Sequence, residues 1–341
     1  MRTTMTIDLR LAQLVEWLLR VGAPWQINVD EILPASADAS FRRYFRVRGH
    51  EGQSFIVMDA PPAQENLESF IAVTKLMHEA GLNAPQILAI NREDGFLLLS
   101  DLGTKTYLDV LNEDNAFALM DRATTALVQW QKISRPNVLP EYDASLLNRE
   151  MRLYPRWYLK CHKNYTFNAD EQKWWQMTKD ALIASHLKEA KVFVHRDFMP
   201  RNLMLSEVNP GILDYQDAVY GPISYDITCL LKDAFISWNE TFVLDVTIRY
   251  WEKARKAGLP VPKDFARFYR DIEFMGVQRH LKVLGIFARI RYRDGKPKYL
   301  RDAPRFIQYL RSASQRYLEL SPLRRIINNV EGSNITVGYT F

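Results

Sequence analysis

The chain has 341 residues, more than one typical domain of roughly 100–200 residues, so two lobes or domains are expected. Hydrophobic residues make up 47% and charged residues 25%, which fits a globular protein of enzyme size and excludes a disordered chain. The 45 basic and 40 acidic residues leave a net charge of +5, too evenly spread for a nucleic-acid footprint, and the two cysteines, Cys161 and Cys229, form no disulfide or metal pattern; a reducing, cytoplasmic setting is expected.

Leu11, Leu14, Val15, Leu18 and Leu19 recur at helical spacing and predict an amphipathic, core-packing first helix. Arg10 and Glu16 interrupt what a secretory signal would need, and no apolar run approaches the roughly 20 residues of a membrane span. "YFRVR" and "SFIVMD" then read as two strands joined by the turn-prone "GHEGQ". "ENLESFIAVTKLMHEAGL" puts Phe70, Val73, Met77 and Ala80 on one helix face, with Gly81 placed to end it. "PQILAINREDGFLLLSDLG" reads as a strand, a turn at Glu93-Asp94-Gly95 and a strand ending at Ser100. Residues 1–100 therefore predict a small mixed lobe. Helical periodicity dominates from Thr106 to about Leu187 and again over 225–320, which makes 101–341 a large, mainly helical lobe and the whole chain α+β.

Between those helical stretches lies "VFVHRDFMPRNLML", residues 192–205, which sets Asp197 and Asn202 five residues apart between two apolar runs. "GILDYQD" follows and brings Asp214 after a third run. A hairpin pairing Leu203–Leu205 with Ile212-Leu213 would bring Asn202 and Asp214 together on the side of Asp197. Singly, each is an ordinary turn residue. Jointly they suit phosphoryl transfer, in which one carboxylate positions a hydroxyl nucleophile while an amide oxygen and a second carboxylate hold Mg2+ on nucleotide phosphates. Mg2+ keeps several waters, so two protein ligands suffice.

"HRDFMPRNLML" with "GILDYQDAVYGPISYDITCLL" resembles the aminoglycoside phosphotransferase-like kinase superfamily, which also contains choline and fructosamine kinases. Within it, "DASFRRYFRV", "VMDAPP", "NREMRLYPRWYLK", "DYQDAVYGPISYD" and "QRHLKVLGIFARIRYRDGKPKYL" look closest to the bacterial N-acetylmuramate/N-acetylglucosamine anomeric kinases of cell-wall recycling. The resemblance covers most of the chain. It implies a two-lobed protein-kinase-like fold, a nucleotide-binding lobe over 1–100, a catalytic and substrate-binding lobe over 101–341, and use of ATP with Mg2+. It implies Asp197 as catalytic base, Asn202 and Asp214 as Mg2+ ligands, and a lobe-linking "GFLLLSDLG" whose backbone at Asp101 and Leu102 meets the adenine. His195 takes the place of a ring packed behind Asp197, Arg196 that of a cation near acidic neighbours, and Asp226 either caps a helix or hydrogen-bonds the catalytic-loop backbone.

The pattern departs in two places. A kinase hairpin normally supplies a lysine to the α- and β-phosphates, but "SFIVMDAPP" offers Met58 and Asp59, and no lysine occurs from residue 1 to 74. The glycine-rich phosphate cover is also missing from "ADASFRRYF". Alternation puts Arg42, Tyr44 and Arg46 on one face and Arg43, Phe45 and Val47 on the other, and at least one of Arg42, Arg43 and Arg46 is expected to replace the lysine, Arg42 or Arg43 near the turn with a forked, permanently charged contact. With no lysine to pair, Glu65 and Glu68 read as surface or helix-start acids.

On the acceptor side, Glu150, Tyr154, Trp157, Gln216 and Asp217 carry the hydrogen-bonding and stacking groups a sugar needs. The basic run 289–305 holds Arg289, Arg291 and Arg293, which reads either as a solvated face or as attraction for the lactyl carboxylate of N-acetylmuramate. Expected partners are ATP and an amino sugar, with no nucleic acid, membrane or obligate protein partner. Other hydroxyl acceptors, such as an aminoglycoside or a choline-like alcohol, and a nucleotide-binding pseudokinase stay open as alternatives.

Overall fold

The structure is a computed structural model that describes residues 8–36 and 41–332. Its first stretch runs α1 (Leu9–Val21), β1 (Asn28–Ser36), β2 (Arg43–Arg48), β3 (Ser54–Asp59), α2 (Leu67–Glu79), β4 (Ile87–Asn91), β5 (Phe96–Ser100) and α3 (Tyr107–Val110). The middle continues with α4 (Ala116–Lys132), α5 (Ala144–Met151), a π-helical segment (Tyr154–Lys163), α6 (Ala169–His186), β6 (Lys191–Val194), β7 (Leu203–Met204), β8 (Gly211–Ile212) and β9 (Val219–Pro222). α7 (Tyr225–Leu231), α8 (Glu240–Lys256), α9 (Phe265–Asp294), α10 (Ala303–Arg316) and α11 (Ser321–Glu331) complete it. Two compact units result. One holds the described residues up to Val110 together with Asn202–Asp217, and the other holds Leu111–Arg201 with the described residues from Ala218 onward.

The first unit is built on a five-stranded antiparallel sheet in the order β1-β2-β3-β5-β4. Alternation in β2, β3 and β5 sends Phe45, Val47, Phe55, Val57, Phe96 and Leu98 to one face, where Leu14, Trp17 and Leu18 of α1 cover them. Leu19 of the predicted apolar stripe is 62% exposed, and Trp17 fills the core in its place. The sequence reading has no strand at β1, because "NVDEILPAS" lacks clean alternation and carries Pro34; an edge strand tolerates both. The turn before β5 requires Gly95, which has φ +76 and where a Cβ would fall 2.0 Å from the Ala60 carbonyl oxygen.

The β7–β8 pair belongs to this same unit. It bonds Leu203 to Ile212 and Met204 to Gly211, while Leu205 N–H donates to Lys105 O at 2.9 Å and Ile212 N–H to Asn83 O at 2.8 Å. Segment 202–217 thus joins the first unit instead of following the chain order expected from a single boundary near residue 100.

In the second unit, β6 and β9 form an antiparallel pair with Phe193 packed on Trp130, ring centroids 5.2 Å apart. The 30-residue α9 lies at its centre, with Phe268, Ile272, Phe274, Met275, Leu281 and Leu284 all buried. Gly285 lets α9 close on the start of the π-helical segment, since a Cβ there would sit 2.4 Å from the Leu153 carbonyl carbon. Among the described residues, no helix is long and apolar enough to cross a membrane.

Candidate active site

The turn after β6 carries Asp197 in the second unit. Arg196 takes a left-handed φ of 79°, a conformation that costs free energy for a residue with a Cβ and has to be held by its surroundings. Here α7 holds it from one side: the Asp226 carboxylate accepts from the His195 N–H at 2.7 Å and the Arg196 N–H at 3.0 Å. On the other side the Arg196 carbonyl accepts from Arg279 Nη1 at 3.1 Å and Cys229 Sγ at 3.3 Å. Asp226 lies in the first turn of α7, after the N-cap Ser224, so it makes the backbone contacts and not the cap. Burial pushes its carboxyl up to about 7 against the two N–H donors. The His195 ring sits edge-on to Phe198 and its Nδ1 accepts from the Asp197 N–H at 3.3 Å, which turns the backbone at Asp197 tightly.

A further layer fixes the Arg196 side chain. Its Nη2 donates to Glu150 Oε1 at 2.6 Å, and Lys282 Nζ pairs with the same oxygen at 3.0 Å. The other oxygen, Oε2, accepts from Tyr142 at 2.5 Å and Gln278 at 2.9 Å. Although burial opposes it, Lys282 and Arg196 hold the Glu150 carboxyl down at about 2. Glu150, expected on the sugar, is therefore corrected: its carboxylate is committed to anchoring the loop that presents Asp197. Tyr154 is likewise a core residue, stacked on Tyr158 at 5.5 Å and fully buried. Trp157 is half-buried, with the Arg156 guanidinium 5.6 Å from its ring. Tyr142, Gln278, Arg279 and Lys282 are missing from the sequence reading. The visible signal was polar "QRHLK" at 278–282 inside an otherwise apolar helix.

Asn202 and Asp214 lie in the first unit at the two ends of the β7–β8 pair. Leu213 N–H donates to Asn202 O at 3.0 Å, and Asn202 Nδ2 donates to Asp214 Oδ2 at 3.3 Å, so the two side chains are adjacent. Asp214 is exposed and has φ 64, a second non-glycine left-handed position. Gln216, expected on the substrate, donates through Nε2 to Asp214 Oδ1 at 2.8 Å, while its own Oε1 is buried with no hydrogen-bond partner among the described residues. Its carbonyl accepts from Ser69 Oγ of α2 at 2.5 Å, and Tyr215 stacks on Phe70 at 5.2 Å, which ties this turn to α2. Asp217 is exposed. A carboxylate beside an amide oxygen is a hard-oxygen donor pair that fits Mg2+. No group of three or more His, Cys, Asp or Glu that could hold a metal occurs among the described residues.

The expected lysine substitutes differ sharply from one another. Arg43 is corrected away from the phosphates: it lies on the α1 face, where Nη2 pairs with fully buried Asp59 at 2.6 Å and Nη1 pairs with Asp8. Arg46 pairs with Asp101 at 2.6 Å. Arg42 pairs with Glu65 at 2.9 Å, both side chains largely buried. Glu65 is therefore not a surface acid, whereas Glu68 is exposed and pairs with Arg92. The Asp101 carboxylate also accepts from Ser54 Oγ at 2.6 Å and Gly103 N–H at 3.0 Å, and these bonds with Arg46 hold it below the usual carboxylate range in spite of burial. Leu102 packs its side chain against Gly211 of β8. Residues 37–40 of the glycine-free "ADASFRRYF" lie outside the described residues. In the basic run, Arg293 pairs with its neighbour Asp294 at 2.6 Å and is exposed, as is Arg291, while Arg289 is half-buried.

A family model described as "Phosphotransferase enzyme family" matches residues 31–266. The chain is 51% identical over 330 residues to an N-acetylmuramate/N-acetylglucosamine kinase of Pseudomonas aeruginosa, covering 95% of this chain and 97% of the relative. It is 49% identical to a kinase of the same name from Neisseria meningitidis, covering 90% of this chain and 93% of that one. Among solved structures, a choline kinase from Streptococcus pneumoniae superposes with a TM-score of 0.63 at 11% identity, over 87% of this chain and 98% of that one. An aminoglycoside phosphotransferase in a ternary complex with streptomycin and ATP gives 0.57 at 17% identity, over 89% and 99%. At these identities the likeness is one of fold.

Proposed function

This chain belongs to the phosphotransferase enzyme family, and we propose that it is an ATP-dependent sugar kinase that phosphorylates the anomeric hydroxyl of N-acetylmuramate and N-acetylglucosamine. The observation that carries the transfer chemistry is the adjacent pair Asn202 and Asp214, 3.3 Å apart, a few residues after the braced turn at Asp197. The acceptor class rests on the 51% identity to a kinase of that name across nearly the whole chain.

In this reading Asp197 orients the acceptor hydroxyl and takes its proton. The sugar oxygen forms a bond to the γ-phosphorus, the bond from that phosphorus to the β–γ bridging oxygen breaks, and ADP leaves. Asn202 and Asp214 would hold Mg2+, which when bound neutralises charge on the β- and γ-phosphates. Gln216 orients Asp214 through its amide, leaving its own carbonyl oxygen for an O–H or N–H of a ligand. The backbone of Asp101 and Leu102 receives the adenine, and Asp217 and Trp157 contact the sugar. Little covalent assistance is needed, so the catalytic effect is one of positioning, and the rigid support of Arg196 serves that end. The enzyme works in the cytoplasm, where ATP is supplied, and returns peptidoglycan sugars to metabolism as 1-phosphates.

The test is a panel of sugars, amino alcohols and aminoglycosides incubated with MgATP, with ADP release and the phosphorylated position recorded. Both N-acetylated amino sugars should yield the 1-phosphate. Transfer to another hydroxyl, or turnover only with an amino alcohol or aminoglycoside, would overturn the assignment.

A further inference from the structure

We infer that Arg42, tethered by Glu65, is the cation that meets the α- and β-phosphates of the nucleotide, replacing the lysine absent from β3. This rests on the chain's use of ATP and is independent of the acceptor sugar.

Three arginines of the first hairpin could take the role, and the structure separates them by what surrounds each. Arg43 lies on the α1 face, between the helix-capping Asp8 and the buried carboxylate of Asp59, which it shares with Arg10, so its guanidinium is committed to that cluster. Arg46 forms a two-pronged pair with Asp101, 2.6 and 3.1 Å, and also donates to Gly103 O at 2.8 Å, which fastens β2 to the segment after β5. Arg42 shares its face with Arg46 by strand alternation but stands at the opposite end of β2, beside the start of α2.

Two observations put Arg42 next to the metal-side carboxylate. Arg42 donates to the phenol of Tyr44 and pairs at 2.9 Å with Glu65, which lies two residues before the first residue of α2. The turn at Asp214 meets the same helix: Tyr215 bonds to Thr74 of α2 at 2.9 Å and stacks on Phe70 at 5.2 Å, and Ser69 Oγ donates to the Gln216 carbonyl at 2.5 Å. Arg42, Tyr44, Glu65 and the 214–216 turn therefore converge on one face of one unit. A phosphate chain whose magnesium is held at Asp214 has Arg42 as its neighbouring cation.

Glu65 explains why an arginine serves from this place. In a kinase the lysine on the second hairpin strand is steadied by a glutamate of the following helix. Here the cation comes from the other strand, two residues before Tyr44, while the glutamate still comes from the start of the helix. The guanidinium fork has five donors, enough to serve a carboxylate, a phenol and a phosphate at once, where an ammonium has three. Glu65 is thus a positioning residue and Arg42 a binding one.

The experiment compares binding of ADP and adenosine, both in Mg2+, to the full chain by calorimetry. Arg42→Ala should weaken ADP at least tenfold and leave adenosine within twofold. Arg42→Lys should recover part of that loss, and Glu65→Gln should weaken ADP several-fold, again sparing adenosine. Arg92→Ala, which removes an exposed cation near the same helix, should change neither. Equal losses for ADP and adenosine in both Arg42 variants would mean a merely structural residue, and unchanged ADP binding in Arg42→Ala would overturn the assignment outright. Because no acceptor is present, failure of the sugar assignment leaves this result untouched.

Discussion

The turn at Asp197 and the turn at Asp214 both hold a non-glycine residue in the left-handed region, yet they are supported in opposite ways. Around Asp197 the support is buried and charged: Asp226, Arg279, Lys282 and Glu150 lie behind Arg196 in two successive layers. Around Asp214 it includes the amides of Gln216 and Asn202, a hydroxyl bond from Ser69 to the Gln216 carbonyl and a stacked tyrosine, and Asp214 itself is exposed. A proton acceptor has to be held at a fixed distance and angle, whereas a cation ligand has to admit waters and phosphate oxygens as they exchange. With the roles proposed above, the difference in burial follows the difference in task.

Breaking the first side should have the larger effect. Asp197→Asn removes the proposed proton acceptor without disturbing its braces, and turnover with MgATP should fall by roughly 10²–10⁴-fold while ADP affinity stays within twofold; a variant with wild-type turnover would end the mechanism. Glu150→Ala leaves Arg196 and Lys282 buried without their counterion, and denaturant unfolding should show a loss of about 3–5 kcal/mol. The pH dependence has a definite sign. The Glu150 carboxyl is lowered from 4.5 to about 2, so its contribution is complete above pH 4.5 and disappears as pH falls toward 2. Wild type and Glu150→Gln should therefore differ in unfolding midpoint at pH 6 and converge near pH 2.

The second side should respond more gently. Gln216→Leu withdraws the amide from Asp214, and the Mg2+ concentration for half-maximal turnover should rise by about 10–100-fold with ADP binding at saturating Mg2+ preserved. An unchanged Mg2+ requirement would mean that Asp214 needs no such orientation. Smallest of all, Arg293→Ala removes an exposed pair with the adjacent Asp294, and both the denaturant unfolding midpoint and turnover should stay at the wild-type values.

What could be read ahead of the structure follows from where the information lies. The spacing of Asp197, Asn202 and Asp214 is local, as are the alternation of β2 and β3 and the Gly95 turn. The partners of Glu150 are not: Gln278 and Lys282 lie 128 and 132 residues further on, and nothing in "NREMRLY" distinguishes a carboxylate facing a sugar from one facing two cations. Arg43 and Arg42 are neighbours on an alternating strand, so the pattern shows that they face opposite ways. It does not show which face α1 covers. That was decided by Trp17 and Leu14 packing on Phe45 and Val47, a contact with no local signature. The division of the chain was hidden for the same reason, since segment 202–217 pairs with residues around 83 and 105.

That last pairing limits how the protein can be dissected. The strands β7 and β8 are supplied from beyond residue 200, and they satisfy carbonyls at Asn83 and Lys105 and bury Leu203, Met204 and Ile212. A fragment ending at Val110 would leave those carbonyls and the Leu102 side chain bare. Cutting the gene at the apparent lobe boundary therefore yields no autonomously folded unit. A functional excision would have to rejoin residue 110 to residue 202 through a designed linker, carrying Asn202 and Asp214 along with the sheet.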